Sequence, residues 1–227
     1  MNEASPLSER DVSDITQVSG YVSTLVGRYP LLECCGLDLV QAINTLIAVY
    51  ESGGKLLICG NGGSASDGEH IVGELMKGFI LPRPIPETQA SRLKEVAGEL
   101  GADIASRLQG GLAAVSLSSH HALVTAIAND IHGHMIFAQQ VQGLGRQGDA
   151  LLGISTSGNS MNVLNAFITA KALGMTTIGL TGRSGGKILP WVDVAIRVPA
   201  DNVVEIQELH LPIYHSICMA LEWHFFG

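Results

Sequence analysis

At positions 55–66 the chain reads Lys55-Leu56-Leu57-Ile58-Cys59-Gly60-Asn61-Gly62-Gly63-Ser64-Ala65-Ser66, a short apolar run followed directly by a loop rich in glycine and serine. A run of this length and composition is typical of a strand buried on both faces of a parallel sheet. A helical pattern follows the loop. The loop therefore lies at a predicted helix N-terminus, where unpaired N–H groups and partial positive charge favour an anion.

A second segment repeats this arrangement. The apolar run Asp149-Ala150-Leu151-Leu152-Gly153-Ile154 leads into the loop Ser155-Thr156-Ser157-Gly158-Asn159-Ser160, and another helical pattern follows. Neither loop contains Lys or Arg, so backbone dipoles and hydroxyl groups would bind the anion. Because the carboxyl ends of parallel strands share one edge of a sheet, the two loops predict a phosphate site at that edge.

Strand-like and helical patterns alternate along the rest of the chain, after two N-terminal amphipathic stretches at about Asp11–Arg28 and Leu37–Glu51. This alternation predicts an α/β fold, in which right-handed crossovers place helices on both faces of a five-stranded parallel sheet. The 227 residues are predicted to form one domain, residues 1–227. The predicted strands are Lys55–Cys59, Ala113–Leu117, Asp149–Ser155, Thr176–Leu180 and Val194–Val198.

The segment Pro82–Gly111 separates the first helix of the sheet region from the second strand. It begins with three prolines in five residues, which favour an extended backbone. Apolar residues then recur at helical spacing and predict an extra helix near 87–109. Two interpretations of this helix are open: a surface helix that covers the core, and a lid or subunit contact.

Composition excludes several classes of protein. The formal net charge of −8 and the absence of a Lys/Arg cluster argue against a nucleic-acid partner. No run is expected to reach the roughly eighteen apolar residues of a membrane span, and Met1–Arg10 lacks the apolar core of a leader, so no membrane partner and a cytoplasmic location are expected. Cys59 and Cys218 are predicted to be reduced and buried.

Candidate catalytic groups lie on two predicted helices. His70 and Glu74 are four residues apart after the first loop and so share one helix face. The last helix, about Val203–Phe225, carries Gln207 and His215 in an apolar setting. These four side chains could form an acid–base set or a metal-binding set, and the sequence leaves both interpretations open.

The chain resembles phosphoheptose isomerases, which belong to the sugar isomerase (SIS) domain superfamily. The resemblance runs from about Leu37 to Leu221, apart from the segment Pro82–Gly111. It implies a single SIS domain, a phosphosugar substrate, no nucleotide cofactor, and a homotetramer with active sites at subunit interfaces. The motifs that carry it are Gly60–Asp67 with His70 and Glu74, Ala128-Asn129-Asp130, Gly153–Ser160, and Ile206-Gln207-Glu208 with His210 and His215.

The same resemblance implies roles for individual residues. Glu74 would be the catalytic base and His215 the catalytic acid in an aldose–ketose isomerisation through a cis-enediol. His70, Glu74, Gln207 and His215 match positions that hold Zn²⁺ in some members of the family. The implied substrate-binding residues are Asn61, Gly62, Gly63, Ser64, Asn129, Asp130, Ser155, Thr156, Ser157, Ser160 and Gln207.

Two points complicate the assignment of this chain to the phosphoheptose isomerases. Where the family commonly has an arginine before the phenylalanine that ends the first active-site helix, this chain has Gly78 before Phe79, with Lys77 one place earlier. A non-catalytic SIS adaptor of the kind that binds a replication initiator, or a sugar-phosphate sensor, is the alternative function. Retention of the acid–base set favours the enzyme.

Overall fold

The computed structural model describes residues 9–227, with side chains from residue 18 onward. Residues 1–8, which hold most of the segment Met1–Arg10 that was considered as a leader and which begin the predicted domain, lie outside this description. Five strands form one sheet in the order β2-β1-β3-β4-β5, and every neighbouring pair is parallel. The strands are β1 Leu56–Gly60, β2 Ala114–Ser116, β3 Ala150–Ser155, β4 Thr176–Thr181 and β5 Val194–Arg197. The predicted five-stranded parallel sheet is therefore confirmed.

Helices connect the strands and cover both faces of the sheet. The α-helices are α1 Glu9–Arg28, α2 Gly36–Glu51, α3 Gly63–Met76, α4 Glu87–Arg107, α5 His121–Ile127, α6 Ala138–Leu144, α7 Met161–Ala172 and α8 Val203–Phe226. Short 3-10 turns lie at Pro30–Cys35, Gly133–Met135 and Gly186–Trp191, and a π turn lies at Ala128–His132.

Alternating side chains of β1 divide the core into two layers. Leu56 and Ile58 point into the cluster that α1, α2 and α8 cover, whereas Leu57 and Cys59 point into the cluster of α6 and α7. This alternation follows from the two-residue period of a strand. Cys59 and Cys218 are both buried free thiols, as predicted.

The segment Pro30–Glu51 corrects one expectation from the sequence. It has 22 residues with a mean hydropathy of 1.5, so by length and composition alone it could cross a membrane. In the structure its helix α2 packs in the core, with Leu39, Ile43 and Leu46 fully buried. Its apolar character is accounted for by burial against the sheet and α8, as in the core helix of a globular domain.

The extra helix predicted near 87–109 is present as α4, but it is not a continuous helix. Gly98 has φ +57° and ψ −130°, and this conformation breaks α4 into two halves. Val96 and Leu100, which flank the break, are 82% and 65% exposed. These two side chains do not contribute to the core, and both interpretations of the segment stay predictions.

Candidate active site

The first glycine-rich loop ends β1 and begins α3. Gly62 caps the helix with φ +57° and ψ −123°, a conformation that a residue with a side chain rarely adopts. Gly63 follows, and a Cβ there would lie 2.6 Å from Nε2 of Gln207. Glycine at these two positions therefore allows both the turn and the close approach of α8.

The second loop ends β3 and is tied to the first. The hydroxyls of Ser155 and Ser160 lie 3.1 Å apart, so the loop closes on itself. Asn162, at the start of α7, exchanges two amide hydrogen bonds with Asn61, of 3.0 and 2.8 Å. This pair fixes the distance between the two loops.

A cavity of about 300 Å³ lies between the loops. None of its lining side chains carries a formal charge, so backbone N–H groups, hydroxyls and amides provide its polarity. Ser157 faces an adjoining cavity of about 150 Å³, where Arg183 pairs with Asp201 at 3.0 Å. The lining residues of the larger cavity are Asn61, Gly62, Gly63, Ser64, Ile154, Ser155, Thr156, Ser160, Val203 and Gln207.

A second group of polar side chains gathers further along α3. The Glu74 carboxylate is held from two sides, with Oε1 3.2 Å from Nε2 of His70 and Oε2 accepting a hydrogen bond from Nζ of Lys77 at 3.0 Å. Its side chain is 13% exposed. The carboxylate thus has a fixed direction and limited access to water.

His215 belongs to the same cluster although it lies on α8. Its ring centroid is 5.1 Å from that of His70 and 5.4 Å from that of Phe79. Its Nε2 is buried without a hydrogen-bond partner. Burial and the neighbouring His70 lower the pKa of His215, while the charge of Glu74 acts in the opposite direction. A neutral imidazole with one uncommitted nitrogen is suited to proton exchange with a ligand.

Tyr214 and Asp67 complete the cluster and were not predicted from the sequence. The Tyr214 hydroxyl lies 3.0 Å from Nδ1 of His70 and 3.4 Å from Oδ1 of Asp67. Burial raises the pKa of Tyr214 and also that of Asp67, whose shift the Tyr214 hydrogen bond and His70 reduce. Asp67 precedes His70 by one helical turn, which is the one signal in the sequence that could have identified it.

The predicted site residues therefore fall into three sets. Apart from Ser157, which faces the adjoining cavity, the loop residues and Gln207 surround the cavity between the loops, whereas His70, Glu74 and His215 form the cluster. Asn129 and Asp130 lie in the π turn, both exposed and hydrogen-bonded to each other at 2.8 Å. They do not line the cavity between the loops.

The four predicted zinc ligands do not form a metal site as they are placed. Within the part of the chain that the structure describes, no group of three or more His, Cys, Asp or Glu side chains is arranged to hold a metal ion. Gln207 faces the cavity, while Nε2 of His70 and Oε1 of Glu74 contact each other. A closed four-coordinate zinc site would need all four donors to converge.

Comparison with known proteins adds independent information. Residues 90–182 match the SIS domain family. The phosphoheptose isomerase of Helicobacter pylori strain P12 is 44% identical over 187 residues, which are 82% of this chain and 84% of that protein. The solved phosphoheptose isomerase of Francisella tularensis is 30% identical, with a TM-score of 0.69 over 96% of this chain and 100% of that one. The solved phosphoheptose isomerase GmhA of Neisseria gonorrhoeae is 31% identical, with a TM-score of 0.66 over 93% of this chain and 94% of that one.

The amide pair between the loops makes a testable prediction. Asn162→Ala removes both hydrogen bonds to Asn61, so the loops should lose their fixed spacing and the cavity should bind inorganic phosphate about tenfold more weakly, since a hydrogen bond contributes about 1 kcal/mol. Isothermal titration with phosphate measures this. Asn165→Ala on the same helix is the control, because Asn165 bonds to the backbone oxygen of His134 instead. Equal affinities for both variants would contradict a role of the pair in anion binding.

Proposed function

The chain belongs to the phosphoheptose isomerase family, and on that premise we propose that it interconverts sedoheptulose 7-phosphate and glycero-manno-heptose 7-phosphate at the site described above. The observation that carries the proposal is that an uncharged cavity lies at the start of α3 and a carboxylate–imidazole pair, Glu74 and His70, lies further along the same helix. An anion-binding adaptor would require the first of these features and not the second.

In this proposal the cavity between the loops binds the phosphate group. Backbone N–H groups at the start of α3 and the hydroxyls of Ser155 and Ser160 would donate to its oxygens. The sugar would then extend along α3 towards Glu74. Because the phosphate is held in the cavity, C1 and C2 of the sugar have a fixed position relative to Glu74. Asn129 and Asp130 remain proposed contacts to the sugar.

Glu74 transfers the carbon-bound proton. Its carboxylate takes a proton from C1 of the open-chain ketose, the electron pair forms the C1–C2 double bond of a cis-enediol, and the carbonyl oxygen at C2 gains a proton. Return of the proton from Glu74 to C2, with loss of the hydroxyl proton at O1, gives the aldose. The restricted solvent access of Glu74 supports this role, because a dry site limits exchange of the carried proton with water.

His215 exchanges protons with the oxygens at C1 and C2. Its lowered pKa supports this role, since a neutral imidazole accepts one hydroxyl proton and donates another without a large cost. His70 and Lys77 keep the Glu74 carboxylate in place.

A homotetramer with sites at subunit interfaces and a cytoplasmic location remain predictions within this proposal. Zinc binding by the four polar side chains is the alternative that metal analysis tests. When bound, zinc would supply a Lewis acid for the carbonyl oxygen. The donor placement given above does not fit a zinc site, so no step of the mechanism uses it. In this proposal Glu74 and His215 carry the proton transfers.

Replacement of the proposed base tests the mechanism directly. Glu74→Gln preserves the shape of the side chain but cannot accept the C1 proton, so kcat for sedoheptulose 7-phosphate should fall about 10²- to 10⁴-fold. A coupled assay of aldose formation measures the rate. The matched control is Glu69→Gln on the same helix, because the Glu69 carboxylate bonds to the exposed Ser119 hydroxyl outside the cluster. Activity of Glu74→Gln within twofold of the wild type would exclude Glu74 as the base.

The environment of His215 predicts its titration. Because burial and His70 lower its pKa, the imidazole should remain neutral to below the ordinary value of 6.5. In Glu74→Gln the midpoint should move lower still, since the carboxylate that favours the charged ring is gone. NMR titration of the ring protons, assigned by their loss in His215→Asn, measures both midpoints. A wild-type midpoint at or above 6.5 would contradict the described burial.

Metal analysis distinguishes the two interpretations of His70, Glu74, Gln207 and His215, which are an acid–base set and a metal-binding set. The arrangement described here predicts protein purified without chelator to contain far less than one zinc per chain and to keep its activity in EDTA. Elemental analysis and the coupled assay provide the two measurements. One zinc per chain, lost together with activity in His70→Ala and Gln207→Ala, would instead favour the metal site.

A further inference from the structure

A buried arginine lies directly behind the proposed catalytic carboxylate. The Arg83 side chain is 0% exposed, and its guanidinium donates from Nη2 to the backbone oxygen of Glu74 at 2.9 Å and from Nη1 to that of Leu75 at 2.8 Å. Neither the loops nor the cluster uses this residue. Arg83 comes from the extended start of the segment Pro82–Gly111, where its prolines predicted only backbone shape.

These two carbonyl groups belong to the last turn of α3. The last four carbonyls of an α-helix have no partner within the helix, and a cation at this end also interacts favourably with the helix dipole. Arg83 supplies both donors and charge there. Because Glu74 lies in this terminal turn, the backbone that carries its side chain is held by Arg83.

Glu222 on α8 fixes the arginine in turn. Its Oε1 accepts from Nε of Arg83 at 2.7 Å and from the backbone N–H of Phe79 at 2.7 Å, and its Oε2 accepts from Ile80 at 2.8 Å. Burial acts to raise the pKa of Glu222, but these hydrogen bonds outweigh it and lower the pKa. The carboxylate therefore stays charged opposite Arg83. The guanidinium carbon of Arg83 also lies 4.7 Å from the ring centroid of Phe226, so the aromatic ring packs against the side of the Arg83–Glu222 pair.

We propose that Arg83, held by Glu222, is a positioning residue that sets the direction of the Glu74 carboxylate by fixing the last turn of α3. This inference rests on the proposed function, because it gives Arg83 its task through Glu74. Arg83 contacts only the backbone of Glu74, whereas Lys77 and His70 contact the carboxylate itself.

The position of Arg83 predicts which kinetic constant depends on it. Glu74 lies eleven positions after Gly63, which lines the cavity, and so roughly 16 Å further along the helix axis. A disturbance of the last turn would therefore leave phosphate binding intact but misalign the base. A displacement of about 1 Å at a reacting group can reduce a rate by about 10²-fold.

The test uses Arg83→Lys in the intact chain. Lysine retains the positive charge opposite Glu222 but cannot donate to two carbonyls and a carboxylate in the geometry of the guanidinium fork. We expect kcat for sedoheptulose 7-phosphate to fall at least tenfold, while KM and the affinity for inorganic phosphate stay within twofold. A merely structural role would not separate these constants.

A second ion pair, in which only the carboxylate is buried, provides the control for lost stability. Asp149 lies at the opposite end of β3 from the loops, where it pairs with Lys55 and accepts from the backbone N–H of Arg146 at 2.8 Å. Asp149→Asn should lower Tm by an amount similar to Arg83→Lys but leave kcat within twofold. If Arg83→Lys does not fold, Glu222→Gln, which keeps the acceptor oxygen and loses the charge, should show the same selective decrease in kcat.

The kinetic results separate a failure of the Arg83 role from a failure of the proposed function. Wild-type kcat in Arg83→Lys or in Glu222→Gln, a proportional rise in KM, or an equal loss of kcat in Asp149→Asn would overturn the positioning role. If Glu74→Gln retains full activity, the proposed function fails, whatever Arg83→Lys does. If Glu74→Gln is inactive while Arg83→Lys is fully active, the function stands and only the role of Arg83 fails.

Discussion

The packing of α3 against α8 is the contact on which the site depends. Gln207 of α8 meets α3 at Gly63, and Tyr214 meets it two turns later at His70. Glu222 then reaches the end of α3 through Arg83. α8 therefore meets α3 directly at its start and in its middle, and through Arg83 at its end, so that the cavity and the cluster keep a fixed separation along α3.

The two ends of α3 have different electrostatic character, and this difference suits the reaction. The cavity contains no side-chain charge, so in the proposed function the helix N-terminus, which carries about half an elementary charge, and the hydroxyl groups would bind the phosphate. The cluster contains a carboxylate, an imidazole and an ammonium group within direct contact. In the proposed function the two ends of the site therefore offer different chemistry: uncharged donors for the phosphate, and ionisable side chains for the reacting carbons.

Local pattern in the sequence predicted much of this arrangement. The strands before both loops were predicted from short apolar runs, because burial on both faces of a parallel sheet leaves a continuous apolar signal. His70 and Glu74 were predicted together because helical spacing alone places them on one face. α2 is the opposite case: its hydropathy does not distinguish a core helix from a membrane span, and only its packing does.

What the sequence did not predict arises from contacts between residues that are far apart in the chain. Asn61 and Asn162 are separated by 101 positions, and Arg83 and Glu222 by 139. Neither pair belongs to a periodic pattern, so no local signal links its members. The break of α4 at Gly98 was missed for a different reason, since an isolated glycine in a helical pattern is usually tolerated.

A crystal structure with a non-isomerisable analogue of sedoheptulose 7-phosphate tests the central claim most directly. The account predicts that the phosphorus lies between the two loops, enclosed by Gly63, Ser155 and Ser160, and that the atoms equivalent to C1 and C2 lie within hydrogen-bond reach of Glu74 and His215. A phosphate bound elsewhere, or a bound sugar whose C1 and C2 lie far from Glu74 in every subunit, would contradict it.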